Sequence, residues 1–284
     1  IITFIVLSYL LIYCFFYFLC NSTVPDPGNI LDIWKTAGLM YTPMASAIIT
    51  AKIFKSKIFK KEELFGKINI WFLVSLLLPL ALMVTSAIIS LLVIPGSSLN
   101  FNLTGAIDLN EKIPIFLKET LAENITENKL SYSLSTIIYG LSNGLGLSSF
   151  LALGEEIGWR GFLFERLKNV SFFKKTFIIG SIWGLWHFPL ILSGYNHPNN
   201  PKIGVLMMVL SCTAISLISN LLREKSKSIF AAAIFHGSFN SLIIVSIIPL
   251  LGNTNTLLVG FLGLSGIISS ISWFLVIKKI NSGL

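Results

Sequence analysis

The chain has 284 residues, 54% of them hydrophobic and only 12% charged, about half the charge of a soluble domain. Together with a mean hydropathy of +0.80, this excludes a soluble globular enzyme, a disordered chain and a disulfide scaffold, and leaves a polytopic membrane protein. The net charge of +8 then belongs to loops on one side of the bilayer, and no nucleic-acid partner is expected.

An apolar stretch of about 20 residues crosses the hydrocarbon core. Eight such spans are predicted, at 1–20, 36–53, 69–94, 133–155, 176–193, 203–222, 228–250 and 254–277. The second is interrupted by Pro43, and the fourth runs on as a helix to about Leu167. The expected fold class is all-α: an integral membrane protein of about eight transmembrane helices around an intramembrane polar cavity. No linker, low-complexity tract or repeat divides residues 1–284, which read as one transmembrane domain. The first span has the length of a signal peptide, but Leu19 stands where a lipoprotein cleavage site needs a small residue, so lipidation of Cys20 is not expected. Cys14, Cys20 and Cys212 are too scattered for a metal knuckle and read as reduced packing residues.

Loop charge orients the spans. Sixteen Lys and Arg fall in 52–67, 160–175, 223–227 and the C-terminus, against five on the other side. The positive-inside rule then places both termini in the cytoplasm and the slightly acidic 95–132 loop outside. That loop carries N-x-S/T triplets at Asn102 and Asn124. The setting expected is a prokaryotic cell membrane, with the lipid bilayer and a membrane-associated peptide or protein as partners.

Ionisable groups inside a span cost about 2.5–3.5 kcal/mol each at mid-helix, so each marks a functional-site hypothesis. They fall in three places. The first is Gly154-Glu155-Glu156-Ile157-Gly158-Trp159-Arg160-Gly161. Glu156 and Arg160 share one helical face in the favourable acid-before-base order and form an expected ion pair, which leaves Glu155 available as a base or ligand. Gly154, Gly158 and Gly161 make a face that admits another helix closely. The second is Trp183-Gly184-Leu185-Trp186-His187-Phe188-Pro189, with His187 roughly 16 Å into its span. The third is His236-Gly237-Ser238-Phe239-Asn240, with His236 and Asn240 on one face. His197 lies in a loop and reads as surface.

Taken singly, each group has a bland reading: snorkelling charges for the first, a hydrogen-bonded core histidine for the second, interhelical glue for the third. At overlapping depth they form one site. Glu155 is then a general base, His187 orients or shares a proton with the same water, and His236 with Asn240 stabilises an oxyanion. The alternative is a zinc set of Glu155, His187 and His236 with an open position for water; the cofactor is a divalent metal such as zinc, or none. No HExxH motif is present.

In order and spacing, these motifs resemble the CPBP family, the CAAX prenyl endopeptidases and bacteriocin-processing proteins also called the Abi family, and its prokaryotic branch in particular. The resemblance covers mainly residues 135–250. It implies an intramembrane endopeptidase with Glu155 as the base, His187 beside it, Glu156 and Arg160 completing the first motif, and His236 and Asn240 on the oxyanion side. The family is often labelled metalloprotease, and a metal-free glutamate mechanism has also been put forward for its prenyl-protein branch. Trp183 departs from the Phe usual at its position. The alternatives to a protease of membrane-associated or lipidated peptides are a non-catalytic bacteriocin self-immunity or scaffold protein using the same cavity, and a transporter with a Glu/His relay. The last would be supported by inverted repeats, and none is seen.

Overall fold

The computed structural model describes residues 1–21, 30–93, 129–247 and 255–282, and among these every regular element is helical. The Asn102 and Asn124 triplets and most of the 95–132 loop lie outside the described residues. The helices are α1 (Ile2–Cys14, prolonged by a π turn Phe15–Leu19), α2 (Ile30–Ile53), α3 (Glu62–Phe65), α4 (Ile70–Val93), α5 (Lys129–Leu145), α6 (Leu147–Glu156), α7 (Phe164–Arg166), α8 (Phe172–Trp186), α9 (Phe188–Leu192), α10 (Pro201–Ser226), α11 (Ile229–Ile247) and α12 (Leu264–Ser282). A π-helical stretch, Ile157–Leu163, joins α6 to α7.

Among the described residues, three helical stretches are long and apolar enough to cross a membrane: Ile2–Leu19, Ile70–Val93 and Pro201–Ser226. A fourth follows if Ile137–Leu145 and Leu147–Arg166, bent by 53° at Gly146, count as one broken span. The other four expected spans fall on helices that do not meet that test. Two expectations change in detail. Residues 255–263 form turns, with Gly260 at φ +78°, so the last helix starts at Leu264. Pro43 does not interrupt α2. It removes the amide that would bond the Leu39 carbonyl, and the Thr42 hydroxyl donates to that carbonyl instead at 2.8 Å.

In lipid, helices associate through close packing and interhelical hydrogen bonds rather than by escaping water. The glycines of the first motif show this. A Cβ at Gly154 would lie 2.8 Å from the Met40 carbonyl oxygen, and one at Gly158 would lie 2.5 Å from the Pro43 Cβ and 3.0 Å from its carbonyl carbon. The Glu155/Glu156 segment is thus pressed against the middle of α2. Gly180 and Gly184 of α8 likewise sit directly on the backbone of Thr213 and Val209 in α10, which fixes the depth of Trp183 and His187. α1 closes the other side, with the Phe4 ring 4.9 Å from Phe162 and 5.6 Å from Trp159. Cys14, Cys20 and Cys212 are not joined in disulfides.

His197 is buried rather than on the surface. Its Nδ1 lies 3.1 Å from the Thr256 hydroxyl, and burial holds its imidazole pKa below the ordinary value.

Because the atoms facing Gly158 are the Pro43 backbone and its ring Cβ, which cannot swing aside, an added methyl forces helices apart at a cost of about 1–3 kcal/mol. Gly158→Ala is expected to lower the unfolding temperature in detergent, and Gly158→Leu to lower it further. An unchanged transition in both would show that the α2 contact is not tight.

Candidate active site

Five of the six polar residues singled out from the three motifs are buried: Glu155, Glu156, Arg160, His187 and His236 are each 9% exposed or less. Glu156 is the centre of one cluster. Its Oε1 accepts from Arg160 Nη1 at 3.1 Å and from His236 Nδ1 at 2.8 Å. The second guanidinium nitrogen of Arg160 donates to Ser216 Oγ at 2.9 Å. Three helical segments therefore meet at one carboxylate, and a buried charge is tolerated because it is paired. Glu156 Oε2 and Arg160 Nε have no partner among the described residues.

Glu155 points elsewhere, as adjacent residues on a helix diverge by about 100°. Its Oε2 accepts from the Trp183 indole Nε1–H at 2.6 Å, and among the described residues it forms no ion pair. Trp183 also binds His187 through its backbone: the carbonyl oxygen accepts from His187 Nδ1 at 2.9 Å. A carbonyl only accepts, so Nδ1 carries the proton and Nε2 is left as the basic nitrogen. The same indole lies under the Arg160 guanidinium at 4.6 Å and meets His236 edge-on at 5.3 Å between ring centroids. Trp183 thus touches Glu155, Arg160, His187 and His236.

Asn240 lies one turn beyond His236 and is exposed; its carboxamide makes no hydrogen bond among the described residues. The structure therefore assembles Glu155, Glu156, Arg160, His187 and His236, and leaves Asn240 at the rim.

His236 Nδ1 is bonded to Glu156, Glu155 Oε2 to Trp183, and His187 Nδ1 to a backbone carbonyl, so Nε2 of each histidine and the second oxygen of Glu155 are the atoms a metal would meet. Among the described residues no three His, Cys, Asp or Glu side chains converge on one point.

Two contributors are not found by reading motifs, and the motif residue Trp183 brings an indole donor that the usual Phe lacks. Ser216 is one serine among many in α10 and gives no signal in sequence. Arg223 reads as a loop charge, yet its Nε donates to the Arg160 carbonyl at 3.1 Å and its Nη2 to Glu63 at 2.6 Å. The 54–69 segment is fastened there by further bonds, from Arg166 Nη2 to the Lys57 carbonyl at 2.8 Å and from Asn69 Nδ2 to the Ser226 carbonyl at 3.2 Å. It is thereby tied to the helix ends that carry Arg166, Arg223 and Ser226. Tyr195, on the loop after α9, lies within electrostatic reach of Glu155: desolvation raises its phenol pKa first, and the Glu155 charge adds to the rise.

Removing one partner of a buried ion pair costs about 3–5 kcal/mol, because the other charge stays buried. Arg160→Met is therefore expected to destabilise the protein strongly in thermal unfolding, and the double variant Arg160→Met/Glu156→Gln to recover part of the loss. A double variant no better than the single one would contradict the pairing.

Residues 137–242, which contain all six of these side chains, match the family model for type II CAAX prenyl endopeptidases, Rce1-like. The curated CAAX prenyl protease 2 of Methanococcus maripaludis is 38% identical over 92 residues. That alignment covers 30% of this chain and 34% of the relative, so the match spans about a third of the relative's length. Across the segment that carries the three motifs, the chain is similar in sequence to the type II CAAX prenyl endopeptidases, a group within the family its motifs resemble.

Proposed function

We propose that the chain is an intramembrane endopeptidase that hydrolyses a peptide bond in a membrane-associated, prenylated protein or peptide. One observation carries the reading. Of two adjacent buried carboxylates, Glu156 is paired with Arg160 and His236, whereas Glu155 forms no ion pair among the described residues and shares Trp183 with His187 as hydrogen-bond partner. Two carboxylates in different environments are the arrangement that gives one a structural and the other a chemical role.

In this mechanism a water sits between the free oxygen of Glu155 and the basic Nε2 of His187. Glu155 takes a proton from it as the oxygen attacks the scissile carbonyl carbon. The negative charge that develops on the carbonyl oxygen is met by His236, whose Nδ1 is fixed by Glu156 so that Nε2 turns away from that carboxylate, and by the Asn240 carboxamide at the rim. The carbon–nitrogen bond then breaks, and Glu155 returns the proton to the leaving amine. The likeness to a family of CAAX prenyl endopeptidases and to a CAAX prenyl protease supports the substrate class. The apolar helices support action within a bilayer.

The test uses purified protein in liposomes with a peptide ending in a farnesylated cysteine and three further residues, read by mass spectrometry. Wild type is expected to release the terminal tripeptide, and Glu155→Gln to lose at least about 10³-fold in rate while unfolding at the wild-type temperature. Trp183→Phe keeps the ring and loses the donor, which is worth about 1.5–3 kcal/mol to a charged acceptor, so a loss of about 10–100-fold is expected. Full cleavage by Glu155→Gln would refute the reading. Binding without cleavage by wild type would favour a non-catalytic immunity or scaffold role for the same cavity.

A further inference from the structure

α5 and α6 would form one straight span but for the 53° turn at Gly146. Non-helical backbone at membrane depth is tolerated only where protein buries it or where it lines a wet cavity. Here Leu145 and Leu147, on either side of Gly146, are 51% and 58% exposed, so the break lies along an open face. Directly behind it runs a row of polar side chains from three helices. Asn143 Nδ2 donates to Ser241 Oγ at 3.2 Å, and the Ser241 hydroxyl donates to Ser148 Oγ at 2.8 Å. Asn240 follows next to Ser241 on α11 and is exposed. Ser241 is twelve residues beyond the start of α11, or about 18 Å along the axis, which is mid-bilayer depth.

Interhelical bonding accounts for the groups that are paired. It does not account for the rest. The Asn143 side-chain oxygen Oδ1 and the second Nδ2 hydrogen, and both ends of the Asn240 carboxamide, have no hydrogen-bond partner among the described residues. A carboxamide open at this depth is costly unless something polar meets it. It offers one donor and one acceptor, as a peptide group does. An extended peptide entering the membrane has the reciprocal need, since each of its N–H and C=O groups must find a partner there.

We infer that Asn143, Ser148 and Ser241 form a docking strip for the main chain of an extended peptide, running from the open helix break to Asn240 and the paired carboxylates. The identity of the peptide rests on the hydrolase reading above; the strip itself rests on the break and its unpaired amides. Recognition through main-chain bonds gives affinity with little dependence on side chains, so the strip accepts varied residues next to the scissile bond.

The test is binding of two farnesylated probes to Glu155→Gln protein in liposomes. One is the peptide described above, and the other has the amide after the first residue beyond the cysteine, next to the scissile one, replaced by an ester, which removes a single N–H. The ester probe is expected to bind about five-fold more weakly, the worth of one net hydrogen bond. That difference is expected to vanish in Asn143→Ala and in Ser241→Ala, each first shown to unfold at the parent temperature. Equal binding of the two probes, no binding by either, or an unchanged difference in both variants would overturn the strip. The amide–ester comparison in the parent protein needs no further variant to fold. Probe binding with the ester effect but without wild-type cleavage would refute the hydrolase and leave the strip standing.

Discussion

A carboxylate sealed inside a membrane protein must be given positive charge, and the site is organised around how Glu156 receives it. Arg160 comes from the same helix one turn on, and His236 comes from α11. The guanidinium is in turn tied to Ser216 of α10, and its backbone carbonyl to Arg223. Three segments, residues 156–160, α10 and α11, are thereby locked around one acidic group. Lose that group and His236 loses its orientation, Arg160 is left buried without its partner, and the π-helical stretch after α6 loses an anchor.

With Arg160 and His236 bonded to Glu156, Glu155 forms no ion pair of its own among the described residues, and the Trp183 indole holds it. A phenylalanine at this position would fill similar space but offer no donor. The tryptophan binds Glu155 through its indole and His187 through its carbonyl, so the two groups assigned to the water are set by one residue. The close approach of α8 to α10 at Gly180 and Gly184 fixes where that residue stands. Packing by small residues thus reaches the chemistry through a short chain of contacts.

Much of this is legible in sequence. Ionisable residues in apolar runs are conspicuous because their cost is high, and the i, i+4 spacing of Glu156 and Arg160 identifies their pair without any contact being known. The glycines beside them announce a close helix, though not that Pro43 of α2 is the neighbour. Other features are hidden for physical reasons. A bend at a single glycine leaves the apolar run unbroken, so the 53° turn at Gly146 does not show in hydropathy. His197 sits among loop residues, and only the distant contact with Thr256 buries it. Arg223 looks like any basic residue at a helix end, and its place beside the Arg160 carbonyl depends on Glu63, far earlier in the chain. The number of spans is the hardest feature to read, because short, glycine-bent helices packed inside a protein are as apolar as those that face lipid.

The division of labour between the two carboxylates is tested most directly by measuring cleavage rate and unfolding temperature together for Glu155→Gln and Glu156→Gln in the same lipid. Glu155→Gln is expected to abolish turnover with little change in unfolding temperature, whereas Glu156→Gln lowers the unfolding temperature by several degrees. A stable, inactive Glu156→Gln beside an unstable but active Glu155→Gln would contradict the assignment.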